Sequence, residues 1–462
     1  MGKRVTIARK LAKFVRKKSF DDLSKKAVDE LKKRILDSLG CAIGALEGSP
    51  VTIVRNHIKE FDKNGICTLI GEGTASPDRA AFYNSLLVRY LDFNDSYLAK
   101  KETCHPSDNV AALLSASEYT NTTTKEFLTA LAIAYQVQCR LSDAAPVRSK
   151  GFDHTTQGSY AVAAGVSRIL GLDEERIANA IAISGTAFNA LRVTRTGKLS
   201  HWKGLAYPNT AFCATHATFL AMHGITGPEQ VFEGDKGFMD AIAGRFNIDW
   251  AHEDIERVTK TIIKKYNSEI HSQSSVECAL EMKRESFTSA TDIRRIEIDI
   301  FDVAYNIIGG GEEGGKTGVK TKEEADHSLP YIVAVAILDG KVMPEQYLVE
   351  RILAADVQNL HRKVLVRPRR DFSRRFPEEI PCLIKIHLKD GRVLKKEKRD
   401  YEGFFTNPMS WEKAVEKFNS LSDRYIYKDL QKEIVEAVKN LEHLKMSDLI
   451  NLLKRIPGPQ GG

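Results

Sequence analysis

One change in apolar spacing constrains the fold of this 462-residue chain more than any other feature. Through roughly the first 265 residues, hydrophobic positions recur every three or four residues, the period of a helix with one buried face. Ala27, Leu31, Ile35 and Leu39 fall at such intervals, and Gly40 follows where a helix could end. Segments 110–119, 125–139, 158–171, 174–190 and 210–223 are rich in Ala, Leu, Ile and small residues, a pattern that predicts closely packed helices. Near residue 290 the period drops to two. Ile296, Ile298 and Ile300 alternate with Glu297 and Asp299, and Val364-Leu365-Val366 is a second short strand. Ile384, Ile386 and Leu388 alternate up to Asp390-Gly391, a hairpin turn into Val393-Leu394. Helical stretches are expected at 322–338 and 344–357. The expected fold is mainly α: a large all-helical domain over 1–268 and a smaller α+β lid domain over 269–400. Helices over 401–462 return to the first domain. There are no internal repeats.

At 42% hydrophobic and 28% charged residues, the chain can bury a large core. No apolar run approaches the ~20 residues of a membrane span, so no membrane partner is expected. Sixty-eight basic against 61 acidic residues leave a net charge of +7, which suits an anionic small molecule as readily as RNA. The seven cysteines stand apart, no two within 25 residues, which excludes a local zinc ribbon, an iron–sulfur run or a thioredoxin-type pair. They read as reduced thiols in a cytoplasmic protein. Residues 1–20 hold eight Lys and Arg and no acid, as a transit peptide would. The helical spacing of Ile7, Leu11, Phe14 and Val15 argues instead for a basic first helix of the fold. Met1-Gly2-Lys3-Arg4-Val5-Thr6 also fits the short N-myristoylation pattern.

Gly310 to Thr317 satisfies the phosphate-loop pattern GxxxxGK[ST]. Two glutamates inside the cradle would repel phosphate, and the polar run Lys320 to Glu324 makes a poor buried helix. The segment reads as a surface loop. The stronger signals are histidines in turn-rich settings. Cys104-His105-Pro106-Ser107-Asp108-Asn109 precedes the apolar run from Val110, with Ser107 or Asp108 as the expected N-cap. A helix N-terminus disfavours an imidazolium, so His105 would stay able to accept a proton. Gly151-Phe152-Asp153-His154-Thr155-Thr156 repeats the arrangement before a small-residue helix. His271 follows Lys264-Lys265-Tyr266-Asn267-Ser268-Glu269-Ile270, and none of the three histidines shows a zinc-site spacing.

Six ordered stretches make the sequence recognisable. They are Leu91-Asp92-Phe93-Asn94-Asp95-Ser96-Tyr97 leading to His105-Pro106-Ser107-Asp108-Asn109; the Gly151–Thr156 segment; Leu199-Ser200-His201-Trp202-Lys203-Gly204; Gly224-Ile225-Thr226-Gly227-Pro228 with Phe232-Glu233-Gly234; Lys265-Tyr266 with Glu269-Ile270-His271-Ser272-Gln273; and Ala325-Asp326-His327-Ser328-Leu329-Pro330-Tyr331. They run in order from Leu91 to Tyr331, and the chain resembles, over roughly residues 5–415, the MmgE/PrpD family, that of 2-methylcitrate dehydratase and cis-aconitate decarboxylase. The resemblance implies a helical domain with an α+β lid, an active site between them, a tricarboxylate substrate, no metal or organic cofactor, and a homodimer. It implies Asp92, His105, His154, Lys203 and Tyr331 as catalytic residues. Ser96, Lys264 or Lys265, and His271 would bind substrate. Two departures stand out: Tyr266-Asn267-Ser268-Glu269 replaces a common Tyr-Pro-Ala-Glu, and Ser96 stands where some decarboxylases carry threonine.

Dehydrating 2-methylcitrate removes a proton beside a carboxylate and expels a tertiary hydroxyl. Charge must be stabilised on that carboxylate, and a general acid must protonate the leaving hydroxyl. Histidines suit the proton transfers, and lysines suit the carboxylates. The expected function is therefore a metal-free hydro-lyase producing 2-methyl-cis-aconitate, with citrate as a second substrate. The same residues would serve a cis-aconitate decarboxylase or an imino-dicarboxylate epimerase. The non-enzymatic alternative is a helical scaffold or weak nucleic-acid binder, and no nucleic-acid partner is expected.

Overall fold

The computed structural model describes residues 5–62, 65–197, 199–286 and 289–458. Residues 1–4 of the acylation pattern and the end of the tail, 459–462, lie outside them. The chain is mainly α with a smaller α+β region, and it divides into two compact units. The first comprises 1–194, 204–261 and 410–462, the second 195–203 and 262–409.

The first unit is built from α1 (Ile7–Lys17), α2 (Lys25–Gly44), α3 (Ser49–Phe61), α4 (Pro77–Tyr90), α5 (Val110–Thr120), α6 (Thr124–Ala144), α7 (Thr155–Ile169), α8 (Glu174–Ala187) and most of α9 (Trp202–Met222). Helices Trp411–Ser422, Lys428–Lys439 and Met446–Lys454 complete it. Its strands are two minimal hairpins, β1 (Cys67–Thr68) with β2 (Thr74–Ala75) and β3 (Tyr97–Leu98) with β4 (Thr103–Cys104). Small residues set the spacing of the helices. α2 does not stop at Gly40 but runs on to Gly44. A Cβ on Gly40 would lie 3.2 Å from the Phe418 Cα, so the glycine admits the 411–422 helix rather than ending its own. A Cβ on Gly165 of α7 would likewise press on Leu113 of α5 and Ala134 of α6, at 3.0 and 3.2 Å. That close approach seats α7 against α5 and α6, and the residue just before α7 is His154.

The second unit carries a four-stranded sheet in the order β6-β5-β7-β8: β5 (Ile293–Ile300), β6 (Val364–Pro368), β7 (Cys382–Leu388) and β8 (Val393–Lys398). β5 runs parallel to β6 and antiparallel to β7, with Ile296 opposite both Val364 and Ile386. Ile296, Ile298, Ile300, Ile384 and Ile386 are fully buried, as their period of two requires. α10 (Gln273–Ser286) packs on β7 and β8, and the helix Leu329–Asp339 packs on α10 and β6. The helix expected over 322–338 is interrupted. One turn, Lys322–Ala325, ends before Ser328, whose hydroxyl caps a new helix by accepting from the Tyr331 amide at 3.2 Å. The stretch expected over 344–357 is likewise broken into short turns. All seven cysteines are free thiols, and no described helix is long and apolar enough to cross a membrane.

Candidate active site

In the first unit, the turn after α4 sets the geometry. Asp92 takes a left-handed conformation (φ +54°), rare for a residue with a Cβ. Its carboxylate accepts from Arg89 Nη1 at 2.6 Å, and both residues are buried. Arg89 also faces Asp108, 3.8 Å away. The next residues fold back over the turn that precedes α5. Asp95 Oδ1 accepts from the Ser107 amide at 2.9 Å, and Oδ2 accepts from the Tyr135 hydroxyl at 2.9 Å. Burial raises the Asp95 pKa, against the pull of Arg34 and these donors. Asn94 donates to both Ser107 and Asp108. Neither Ser107 nor Asp108 caps α5, contrary to the sequence expectation: Asn109 is the boundary residue and makes no side-chain cap. The two side chains are spent on the turn that holds His105.

His105 Nδ1 donates to the Asp95 carbonyl at 2.8 Å and lies 3.0 Å from the Ser96 hydroxyl. Bonding to a carbonyl places the proton on Nδ1, which leaves Nε2 as the basic nitrogen. His154 occupies the N-cap position of α7, and its Nδ1 is 3.2 Å from Asp153. The two imidazoles meet edge to face with centroids 5.4 Å apart. Both are buried, at 7% and 3% exposure, so their charges are poorly screened by water. Asp153 is fully buried, accepts from the Thr155 amide and faces Arg192 at 3.7 Å. One histidine thus rests on a carbonyl and a hydroxyl, its neighbour on a carboxylate.

The second unit holds the lysines. Lys203 Nζ donates to Asp326 Oδ1 at 2.8 Å and lies 2.9 Å from His327 Nδ1. Asp326 also accepts from Lys322 at 2.8 Å and from His327 Nδ1 at 2.6 Å. Burial would push the Asp326 carboxyl up, but Lys203, Lys322 and His327 outweigh it and hold the group far below the usual carboxylate range. His327 Nδ1 can donate to Asp326 or accept from Lys203, but not both at once.

His271 is fully buried against Phe301 and Phe376, and its Nδ1 pairs with Glu269 at 2.6 Å. Glu269 also accepts from the His271 amide. Burial raises its pKa, but His271, His327 and Lys264 overcome that and bring it down to about 2. The two adjacent lysines part company. Lys264 is fully buried within electrostatic reach of Glu269. Lys265 turns to Glu277 and Glu402, 2.9 Å from each, and these raise its pKa against the effect of burial.

Ser96, His105 and His154 are therefore brought together in the first unit, with Asp92 in the same turn system. Lys203, Lys264 and His271 sit among paired carboxylates in the second. Lys265 belongs to a separate ion-pair network. Tyr331 is buried with its hydroxyl donating to the Gln346 carbonyl, and burial raises its pKa above the usual phenol range. The sequence reading did not assign Asp95, Asp153, Glu269, Asp326 or His327 to the site. All five lie within the quoted stretches, and an acid one or two residues before His154, His271 and His327 was the available signal.

A mainly α chain with a buried histidine pair and lysines held by carboxylates is equipped for acid/base work on an anion. Comparison places it more closely. The MmgE/PrpD N-terminal domain matches residues 9–251 and the MmgE/PrpD C-terminal domain matches 266–443, so the chain belongs to the MmgE/PrpD family. It is 29% identical over 418 residues to a fungal alkylcitrate dehydratase, covering 82% of this chain and 80% of that one. It is 25% identical over 433 residues to the cis-aconitate decarboxylase of Mus musculus, covering 88% and 85%. With the 2-methylcitrate dehydratase of Escherichia coli it shares 27% identity over 334 residues, 67% of each chain.

Proposed function

We propose that, among the lyases of its family, this protein is a hydro-lyase that converts 2-methylcitrate to 2-methyl-cis-aconitate. Citrate would give cis-aconitate by the same step. The observation that carries the reading is the His105–His154 pair, two buried imidazoles in contact but in unlike surroundings. In the proposed step, one imidazole takes the proton from the carbon beside a carboxylate. The electron pair forms the new carbon–carbon double bond as the C–O bond breaks. The other imidazole supplies a proton, so the leaving group departs as water. Asp153 would stabilise an imidazolium at His154, which suits His154 to the acid role. The Nδ1-protonated tautomer suits His105 to the base role. Lys203 and Lys264 would hold substrate carboxylates and stabilise charge as the proton leaves.

The decarboxylase reading keeps the same residues, and the mouse decarboxylase aligns over the larger share of this chain. The two differ in the bond that breaks. Incubation of the purified protein with 2-methylcitrate, citrate and cis-aconitate, with products identified by NMR, separates them. The proposal expects 2-methyl-cis-aconitate from the first. Itaconate and carbon dioxide from cis-aconitate, with 2-methylcitrate untouched, would replace dehydration by decarboxylation.

A further inference from the structure

The glycine-rich segment that imitates a phosphate loop has a different construction. No strand leads into it: a single wide helical turn, Tyr305–Gly309, precedes Gly310, and the next helix is one turn at Lys322–Ala325. Gly310 (φ +102°) and Gly314 (φ +90°) supply the left-handed turns. Beyond them the chain is pinned. The Ser328 hydroxyl donates to the Lys316 carbonyl at 2.7 Å, His361 Nε2 donates to the Thr317 carbonyl at 2.8 Å, and the Gln358 amide donates to the Val319 carbonyl at 3.3 Å. Ser328 and His361 are fully buried, so these anchors are fixed parts of the second unit. Ser328 also caps the helix that follows Asp326 and His327. One residue thus ties the loop to the lysine–carboxylate cluster.

Lys316 is half-buried and, among the described residues, has neither an ion pair nor a side-chain hydrogen bond. Burial lowers its pKa, and Glu313, Glu269 and Asp326 are the anions within electrostatic reach. The last two are already engaged: Asp326 by Lys203, Lys322 and His327, and Glu269 by His271. Lys316 therefore sits on a pinned backbone beside the cluster, and Glu313 of the same loop, the strongest of the three anions on it, makes no ion pair with it.

We propose that Lys316 binds a carboxylate of the substrate and determines the preference for three carboxylates over two. This rests on the tricarboxylate reading above. The backbone is already ordered, so binding has only the half-buried side chain left to fix, and a charge-assisted contact to a carboxylate is the interaction it lacks.

The test uses the full-length protein and tricarballylate, an unreactive tricarboxylate, with glutarate as the two-carboxylate control. Calorimetry should show Lys316→Met weakening tricarballylate about 10- to 100-fold while leaving glutarate within about threefold. Lys316→Arg should keep most of the affinity. With 2-methylcitrate, Lys316→Met should raise KM more than it lowers kcat. Lys316→Gln replaces Met if that variant fails to fold. Equal tricarballylate affinity in wild type and variant would overturn the assignment, as would equal losses for both ligands. Wild-type turnover of 2-methylcitrate with an unaltered KM in the variant removes Lys316 alone. Wild type that neither binds tricarballylate nor turns over a tricarboxylate overturns this proposal together with the reading beneath it.

Discussion

Replacing Asp326 by Asn tests the charge arrangement on which the second unit depends. The carboxylate is fully buried and accepts from Lys203 and Lys322 at 2.8 Å each and from His327 at 2.6 Å. Asparagine keeps the volume but removes the charge. The Lys203 side chain is only 6% exposed, so its ammonium would lose its anion without gaining water. Breaking a buried pair from one side costs about 3–5 kcal/mol, most of it the orphaned charge. Lys203→Met removes the cation instead and leaves Asp326 with two donors, for an expected cost of about 1–2 kcal/mol. In the double variant the Lys203 charge is gone, while Lys322 loses Asp326 just as it does in Asp326→Asn alone, so only the Lys203 share of the penalty cancels. The two changes should therefore couple, the double losing about 2 kcal/mol less than the sum of the singles. Urea unfolding at pH 7, followed by far-UV circular dichroism and fluorescence, reads all four proteins. Additivity within about 0.5 kcal/mol would show that the Lys203–Asp326 contact does not stabilise the fold as argued.

Two further outcomes follow from the same cluster. Glu269 is held down to about 2 from an ordinary value of 4.5, so its contribution is present above pH 4.5 and is lost as pH falls towards 2. Wild type should lose about 3 kcal/mol more than Glu269→Gln over that window, and parallel stability curves would contradict this. Lys203→Met should also lower kcat/KM for 2-methylcitrate about 30- to 150-fold in folded protein, and an unaltered efficiency would remove Lys203 from the site.

Much of this was legible in the chain because local rules carried it. The shift in apolar period near residue 290 marks the sheet, and the buried isoleucines of β5 and β7 obey it. The turn-rich setting of His105 and His154 before a small-residue helix is observed: His154 is the N-cap residue of α7, and His105 stands one tight turn, Pro106–Asn109, ahead of α5. What local rules missed depends on distant partners. Gly40 looks like a stop signal until Phe418 is seen against it. Ser328-Leu329-Pro330 is a helix start that the helix-forming Lys322–Ala325 before it and the apolar run after it obscured. The anion for Lys203 comes from 123 residues further along, and no spacing rule reaches that far. Lys264 and Lys265 are indistinguishable by motif, and burial beside Glu269 against pairing with Glu277 separates them.

The central claim is that His105 and His154 move the protons, and kcat/KM of His105→Asn, His154→Asn and the double variant tests it most directly. Circular dichroism and urea midpoints first establish that each protein is folded. The account predicts rates down by about 100-fold or more in each single variant. It predicts a double variant little worse than the poorer single, because two groups acting in one concerted step do not lose independently. The wild-type pH profile of kcat/KM should be bell-shaped, as one neutral base and one protonated acid require. Near-wild-type turnover in either single variant, or variants that lose stability while keeping their rate, would reduce the histidines to structural parts of the turns before α5 and α7 and contradict the account.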